Sequence, residues 1–225
     1  MANKNDKNLN LSLEEFENGI KIFQDNTLYK FTSDSIRLAK FCNIKHTDRV
    51  LDMCAGCGVV GLYLYSITKF QNLYFNEIQP TMCELINKNL KYNQLEDKSK
   101  VLCKNLEDLT LDDFKKPVDV IVCNPPYYKL NGEIKERREI AICRHEICTN
   151  LTNIIKKSSS LLKNKGKFYI IVPEDRLCEV VFEMGNNNFK VKRIQFNAVK
   201  NKINTCLLEA VKCGKSGVKL SIIEE

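Results

Sequence analysis

Asn124-Pro125-Pro126-Tyr127 sets a carboxamide, two prolines and a phenol ring in consecutive positions, directly after the apolar run Val118-Asp119-Val120-Ile121-Val122-Cys123. The run reads as a buried strand, so these residues arrive together at one edge of a sheet. Their chemistry suits a planar exocyclic amine. The Asn124 side-chain oxygen accepts one N–H, and its amide group also donates. The Pro125 carbonyl accepts a second N–H, because proline keeps its C=O while lacking an N–H of its own. Tyr127 offers a face on which the ring bearing the amine stacks. A plain proline-rich turn closing a strand is the competing reading.

A second set is Asp52-Met53-Cys54-Ala55-Gly56-Cys57-Gly58, which follows a strand and opens a helix. Gly56 and Gly58 let backbone approach a ligand closely and take turn geometries closed to other residues. The helix N-terminus behind them suits a carboxylate or phosphate. Glu77 ends the next strand about twenty residues on, where an acid accepts both hydroxyls of a ribose. A tight turn with a surface Glu is the competing reading. With such a cofactor loop nearby, the Asn-Pro-Pro-Tyr set reads as a site for methylating a nitrogen that is not basic.

Cys54 and Cys57 also form a C-x-x-C at a helix start, a position that lowers a thiol pKa and favours redox chemistry. The thioredoxin-like version of that motif comes in a smaller chain and usually follows a tryptophan, of which this chain has none. The two thiols therefore read as fillers of small-residue slots that remain open to oxidation. Most of the 11 cysteines, such as Cys42, Cys103, Cys123 and Cys206, sit inside apolar patterns. There they act as small hydrophobes in a reducing compartment. A single C-x-x-C and the two histidines, His46 and His145, give no expectation of a metal site.

The elements that must position these residues alternate. Ile20–Phe23 and Leu28–Phe31 flank Gln24-Asp25-Asn26-Thr27 as a predicted hairpin, with residues 1–13 frayed. Thr32-Ser33-Asp34 starts a helix whose apolar face carries Ile36, Leu38, Ala39 and Phe41. Strands are expected at 50–53, 73–75, 101–103, 118–123, 168–172, 191–196 and 205–211. Helices are expected at 59–68, 80–92, 151–162 and 174–184, and the charged segment 129–138 reads as a loop. Strands alternating with helices imply a mostly parallel sheet covered on both faces. The expected organisation is an N-terminal hairpin and helix cap over residues 1–45 and one α/β domain over 46–225.

At 225 residues with 44% hydrophobic and 28% charged content, the chain has the balance of a soluble globular protein. No run approaches the eighteen or so apolar residues of a membrane span. The polar start lacks a signal sequence, so a cytoplasmic location is expected, with no membrane and no obligate protein partner. Net charge of +7 favours an anionic partner. A Lys/Asn/Ile-rich composition from an AT-rich genome gives the same charge, so charge supports a nucleic-acid substrate without establishing one.

Asp52–Gly58, Glu77 and Asn124–Tyr127 together resemble the S-adenosylmethionine-dependent amino-methyltransferases of the Rossmann-like class. Phe31-Thr32-Ser33-Asp34-Ser35-Ile36-Arg37-Leu38-Ala39, Cys143-Arg144-His145-Glu146 and the stretch from Leu208 to Lys219 narrow the resemblance to one subgroup. That subgroup is the bacterial tRNA1(Val) adenine-N6 methyltransferases, which modify the adenine next to the anticodon. The resemblance covers about Ile20 to Leu220. It implies a seven-stranded, mostly parallel sheet with one antiparallel strand near the edge.

It also implies a site. Asp34, Asp52, Cys54, Gly56, Gly58, Glu77, Asn105 and Asn124 would hold S-adenosylmethionine. Asn124 and Pro125, followed by Pro126, would bind the target amine, and Tyr127 would stack on its base. Arg144, His145, Lys212 and Lys215 would touch the tRNA, with Lys219, Lys129, Lys135, Arg137 and Arg138 as further phosphate contacts. For each of these charged groups a solvated surface role is an equal reading. Relatives usually carry Gly where Cys54 stands, and commonly Asp where Asn105 stands. Asn105 accepts the bond of an adenine amine without charge assistance, which implies modest cofactor affinity. The chain ends where relatives often add a short strand.

Other substrates share this chemistry. A protein-glutamine methyltransferase uses the same motif but generally carries a longer helical N-terminal domain, and a DNA adenine methyltransferase usually adds a recognition domain. A ribosomal-RNA amine remains an alternative. From a different class, the chain reads as a non-catalytic RNA-binding or redox-sensing protein on this fold.

Overall fold

From Arg49 onward the alternating apolar runs and amphipathic stretches fold as a parallel sheet with crossover helices, in a computed structural model that describes residues 10–128 and 137–224. Ahead of it, β1 (Leu11–Glu15) and β2 (Lys21–Asp25) form a hairpin, followed by α1 (Ser33–Phe41). The sheet is built from β3 (Arg49–Met53), β4 (Asn72–Glu77), β5 (Ser99–Cys103), β6 (Val118–Cys123), β7 (Leu162–Pro173), β8 (Phe189–Val199), β9 (Lys202–Lys212) and β10 (Lys219–Glu224). Helices α2 (Val59–Thr68), α3 (Pro80–Tyr92), α4 (Arg138–Arg144), α5 (Leu151–Leu161) and α6 (Leu177–Asn186) complete it.

The strand order is β10-β8-β9-β7-β6-β3-β4-β5. The chain starts at β3, moves outward to β5, then returns to lay β6 on the other side of β3. That reversal is the switch point at which open α/β sheets bind ligands, beyond the carboxyl ends of the strands. It places the loop after β3 beside the loop after β6, with Asp52 opposite Val122 and Met53 opposite Cys123. Two apolar layers hold the sheet. One packs α1, α2 and α3 on Val50, Leu73, Phe75 and Val120; the other packs α5 and α6 on Leu51, Met53, Ile121 and Phe168. Alternate residues of one strand thus feed opposite layers.

Several expectations are corrected. Among the described residues the sheet has eight strands, because β10 pairs in parallel with β8 as the edge strand. Its residues are exposed throughout, so no apolar alternation announces it. The expected antiparallel strand near the edge is present: it is β9, third from that edge and antiparallel to both β7 and β8. The hairpin pairs 11–15 with 21–25 rather than 20–23 with 28–31, so residues 11–13 are strand and not frayed. Its turn is closed by Gly19 at φ +81°, whose N–H donates to the Phe16 carbonyl. Asp25 instead folds the next residues into a side-chain turn, accepting from the Thr27 N–H and hydroxyl at 2.8 Å each. Residues 138–144 form a helix, and Lys129 and Lys135 lie outside the described residues.

The hairpin is stitched to the body by Asn89, which is fully buried. Its oxygen accepts the Phe23 N–H at 2.7 Å, and its amide donates to the carbonyls of Phe23 at 3.1 Å and Cys57 at 3.0 Å.

Candidate active site

The loop leaving β3 is held from below by Asp52. Its buried carboxylate accepts the Gly61 N–H in α2 at 2.8 Å. Burial pushes this acid up to about 8, against the pull of that N–H bond. A side chain at Gly61 would stand 2.7 Å from Phe75 Cε1 and 3.2 Å from Asp52 Oδ2, so glycine is what lets α2 reach this carboxylate. Asp52 therefore ties the end of β3 to the first turn of α2 through its side chain.

Cys54, Gly56 and Gly58 all take left-handed backbone, at φ +58°, +56° and +83°. Gly58 is the N-cap of α2. Glu77, at the end of β4, reaches across: one carboxylate oxygen accepts the Gly56 N–H at 2.9 Å, and the other accepts the N–H groups of Ile78 and Gln79 at 2.9 Å. Burial raises its pKa, and these backbone donors oppose the rise.

Cys54, Glu77, Ile78, Gln79, Asn105, Leu106 and Pro126 line one cleft, whose far wall is Ile142, Cys143, Cys148 and Thr149. The structure thus brings Cys54 and Glu77 of one set and Pro126 of the other into one cleft, and adds a wall from α4 and the residues after it. The Asn105 oxygen accepts the Glu107 N–H at 3.0 Å, capping a short turn. Thr149 Oγ1 is buried on this wall without a hydrogen-bond partner among the described residues.

Asn124 leaves β6 with its side-chain amide donating to Ser35 Oγ in α1 at 3.0 Å. Beside it, a small recess is lined by Tyr29, Asn124, Pro125, Tyr127, Tyr128, Cys143 and Arg144. Burial, and then the nearby Asp34 carboxylate, push the Tyr127 phenol above its ordinary value, so it stays neutral. Asp34 itself pairs with Arg37 at 2.8 Å at the start of α1. Tyr127 meets Tyr128 edge-on, with ring centroids 4.9 Å apart.

The segment after the motif is pinned back. The Tyr128 N–H donates to the Arg144 carbonyl and its carbonyl accepts the Glu146 N–H, each at 3.0 Å, so Tyr128 and His145 form a bridge. The Arg144 guanidinium stands 5.7 Å from the Tyr128 ring centroid and the His145 ring 5.9 Å from it. Arg176, buried in the turn after β7, donates to the Tyr127 carbonyl, to Glu146 at 3.0 Å and to Glu179 at 2.8 Å.

Lys212 and Lys215 are not brought to this site. Because β9 runs antiparallel to β7, its last residue, Lys212, pairs with Phe189 at the start of β8, and its Nζ donates to the carbonyl of Leu162 at the start of β7. Both lysines thus stand at the sheet edge opposite Asn124. Cys57 is buried, and burial pushes its thiol up to about 12, away from the lowered value that redox exchange favours. Tyr29, Arg176 and Thr149 were not singled out from sequence, and Ser35 stood there only as one residue of the Phe31–Ala39 stretch; each reaches the site from an element other than the two motifs.

Residues 35–200 match the family model described as methyltransferase small domain. Similar curated proteins include the tRNA1(Val) (adenine(37)-N6)-methyltransferase of Flavobacteriaceae bacterium (strain 3519-10), 23% identical over 79% of this chain and 81% of that one. The protein of the same name from Aliivibrio salmonicida is 25% identical over 79% of this chain and 75% of its own. Among solved structures, the fold is shared with the predicted O-methyltransferase Atu636 of Agrobacterium tumefaciens, at TM-score 0.65 and 15% identity over 84% of this chain and 86% of that one. It is shared equally with M. jannaschii TYW2 in complex with AdoMet, at TM-score 0.63 and 17% identity over 94% and 88%.

Proposed function

The chain belongs to the methyltransferase small domain family, and from that premise we infer that it methylates the exocyclic N6 of an adenine in tRNA, adenine 37 of tRNA1(Val), using S-adenosylmethionine. The observation that carries this reading is the meeting of the recess beside Asn124 and Tyr127 with the cleft lined by Cys54, Glu77 and Asn105, around Cys143, which lines both.

The residues present fit the cofactor. Glu77 offers a buried acceptor, and Thr149 a buried hydroxyl without a partner among the described residues. Gly56 faces open space where a side chain would otherwise project. Cys54, Gly56, Glu77 and Asn105 would hold S-adenosylmethionine, with Gly58 shaping the loop and Asp34, Asp52 and Asn124 completing the set. Bound there, it supplies an electrophilic methyl group.

The amine lone pair of adenine is delocalised into its ring, so the protein must localise it. Acceptance of its two N–H groups by the Asn124 oxygen and the Pro125 carbonyl favours a more tetrahedral nitrogen with a directed lone pair. Both acceptors also stabilise the positive charge that develops there. No strong base is required, because the proton turns acidic only as the nitrogen gains its methyl. Tyr127 and Tyr128 give the extruded base an aromatic setting, and Pro126 keeps the loop stiff. Unstacked loop bases of RNA reach such a recess at least cost. Arg144 stands on its rim, where a phosphate or base edge would meet it.

Incubation with labelled S-adenosylmethionine and unmodified tRNA1(Val), followed by nucleoside mass spectrometry, tests this reading. N6-methyladenosine that is absent with Asn124→Ala is expected. Methyl transfer only to other RNA or to protein would keep the chemistry and discard the substrate.

A further inference from the structure

A carboxamide has two arms of nearly equal size, and half a turn about its last bond exchanges an acceptor for a donor. At a site that must accept N–H bonds, the wrong arm is repulsive. Asn124 sits at a strand end beside the recess, and its Nδ2 donates to Ser35 Oγ at 3.0 Å across 89 residues of chain. Ser35 is 4% exposed, on the side of α1 that packs inward with Leu38 and Ala39, both fully buried.

The helix that carries it is fixed at its far end. Arg193 donates to the Phe41 carbonyl at 2.7 Å, and the Asn43 N–H donates to the Tyr169 hydroxyl at 3.2 Å. Ser35 is therefore delivered by a rigid support from outside the β6 loop. Its hydroxyl can accept from an N–H or donate to an oxygen, so it meets either arm. The target amine brings N–H groups alone to this carboxamide, and so selects the arrangement in which Ser35 accepts from Nδ2.

We propose that Ser35 is a positioning residue for Asn124: by taking the amide arm of the carboxamide, it leaves Oδ1 as the arm that receives the target amine. This rests on the reading of the Asn124 site given above and adds to it a residue outside the Asn-Pro-Pro-Tyr motif. A carboxylate at position 124 needs no such orientation, since both its arms accept.

Steady-state methylation of tRNA1(Val) by the wild type, Ser35→Ala, Asn124→Asp and the double variant tests the role. Ser35→Ala is expected to lower kcat roughly tenfold, the kinetic weight of about one neutral hydrogen bond. The KM for S-adenosylmethionine should stay unchanged. In the Asn124→Asp background the same substitution should cost less than about twofold, since the orientation it controls no longer matters. An equal loss in both backgrounds would make Ser35 a packing residue of α1 and overturn the proposal, as would an unchanged kcat in Ser35→Ala.

If Asn124→Asp is too slow to measure, the side-chain amide signals of ¹⁵N-labelled protein decide. The NH₂ pair missing from the Asn124→Asp spectrum belongs to Asn124. It should be protected from exchange in the wild type and lose that protection in Ser35→Ala; protection that persists overturns the proposal. A wild type that methylates no adenine in tRNA counts against the substrate reading instead, and the NMR result still judges Ser35.

Discussion

Glu77 and Gly56 close the cofactor loop onto the neighbouring strand: the Glu77 Oε2 accepts the Gly56 N–H at 2.9 Å while Oε1 accepts two further backbone donors, Ile78 and Gln79. One carboxylate thus ties the ends of β3 and β4 together and lines the cleft between them.

Glu77→Ala removes the acceptor of three backbone N–H groups and the cleft's buried carboxylate. Hydrogen bonds to charged groups contribute about 1.5–3 kcal/mol each, so S-adenosylmethionine should bind on the order of tenfold to a hundredfold more weakly. Isothermal titration calorimetry measures this directly. An unaltered Kd would remove Glu77 from the cofactor site.

Asp52 makes stability depend on pH in an unusual direction. Between its ordinary value of 3.8 and about 8, the folded protein keeps a proton on Asp52 that the unfolded chain releases. The stability due to this group is thus fully present below the lower value and is lost as pH rises through the upper one. Asp52→Asn does not titrate and can still accept from Gly61. The Tm of Asp52→Asn minus that of the wild type should therefore climb from pH 4 towards pH 8. A difference that stays constant over the window would mean that Asp52 ionises as an ordinary surface acid.

The parts of this architecture that were legible in sequence are those written in local pattern. Val118–Cys123 is a continuous apolar run, Pro80 sits in the first turn of α3, and the Asn-Pro-Pro-Tyr and Gly-x-Gly motifs carry their chemistry within a few residues. What escaped is held by distant partners. Helix α4 buries only Ala141 and so shows no amphipathic period, yet Ile142, Cys143, Cys148 and Thr149 wall the cleft. Tyr29 reaches the recess from the segment after the hairpin, and Ser35 meets Asn124 only through the packing of α1. Lys212 was misplaced for a topological reason: its motif reads the same whichever way β9 runs.

Arg176 is the buried tie beneath the recess, joining the Tyr127 carbonyl to Glu146 and Glu179. Arg176→Ala would leave Glu146, whose side chain is 10% exposed, without its cation. Breaking such a buried pair costs about 3–5 kcal/mol, read as a lower midpoint in urea denaturation. Methylation should also fall at temperatures where the variant remains folded, because the Tyr127 backbone loses its anchor. Full activity in the folded variant would separate the tie from the site.

Cys54 occupies left-handed backbone at φ +58°, a conformation that costs a residue with a side chain roughly 1–2 kcal/mol. Its thiol lines the cleft, so its presence there has either a packing or a contact purpose. Glycine takes the same backbone without that strain but loses more entropy on folding, by about 0.5–1 kcal/mol. Cys54→Gly is therefore expected to be neutral or stabilising by up to about 1 kcal/mol, seen as a small rise in the urea midpoint. S-adenosylmethionine affinity should hold if position 54 meets the cofactor through its backbone, which glycine keeps, with Glu77 and Gly56 unchanged. A stabilised protein that binds the cofactor more weakly would assign the Cys54 thiol a direct contact in the cleft, and a destabilised one would show that its side chain packs well enough to outweigh the strain.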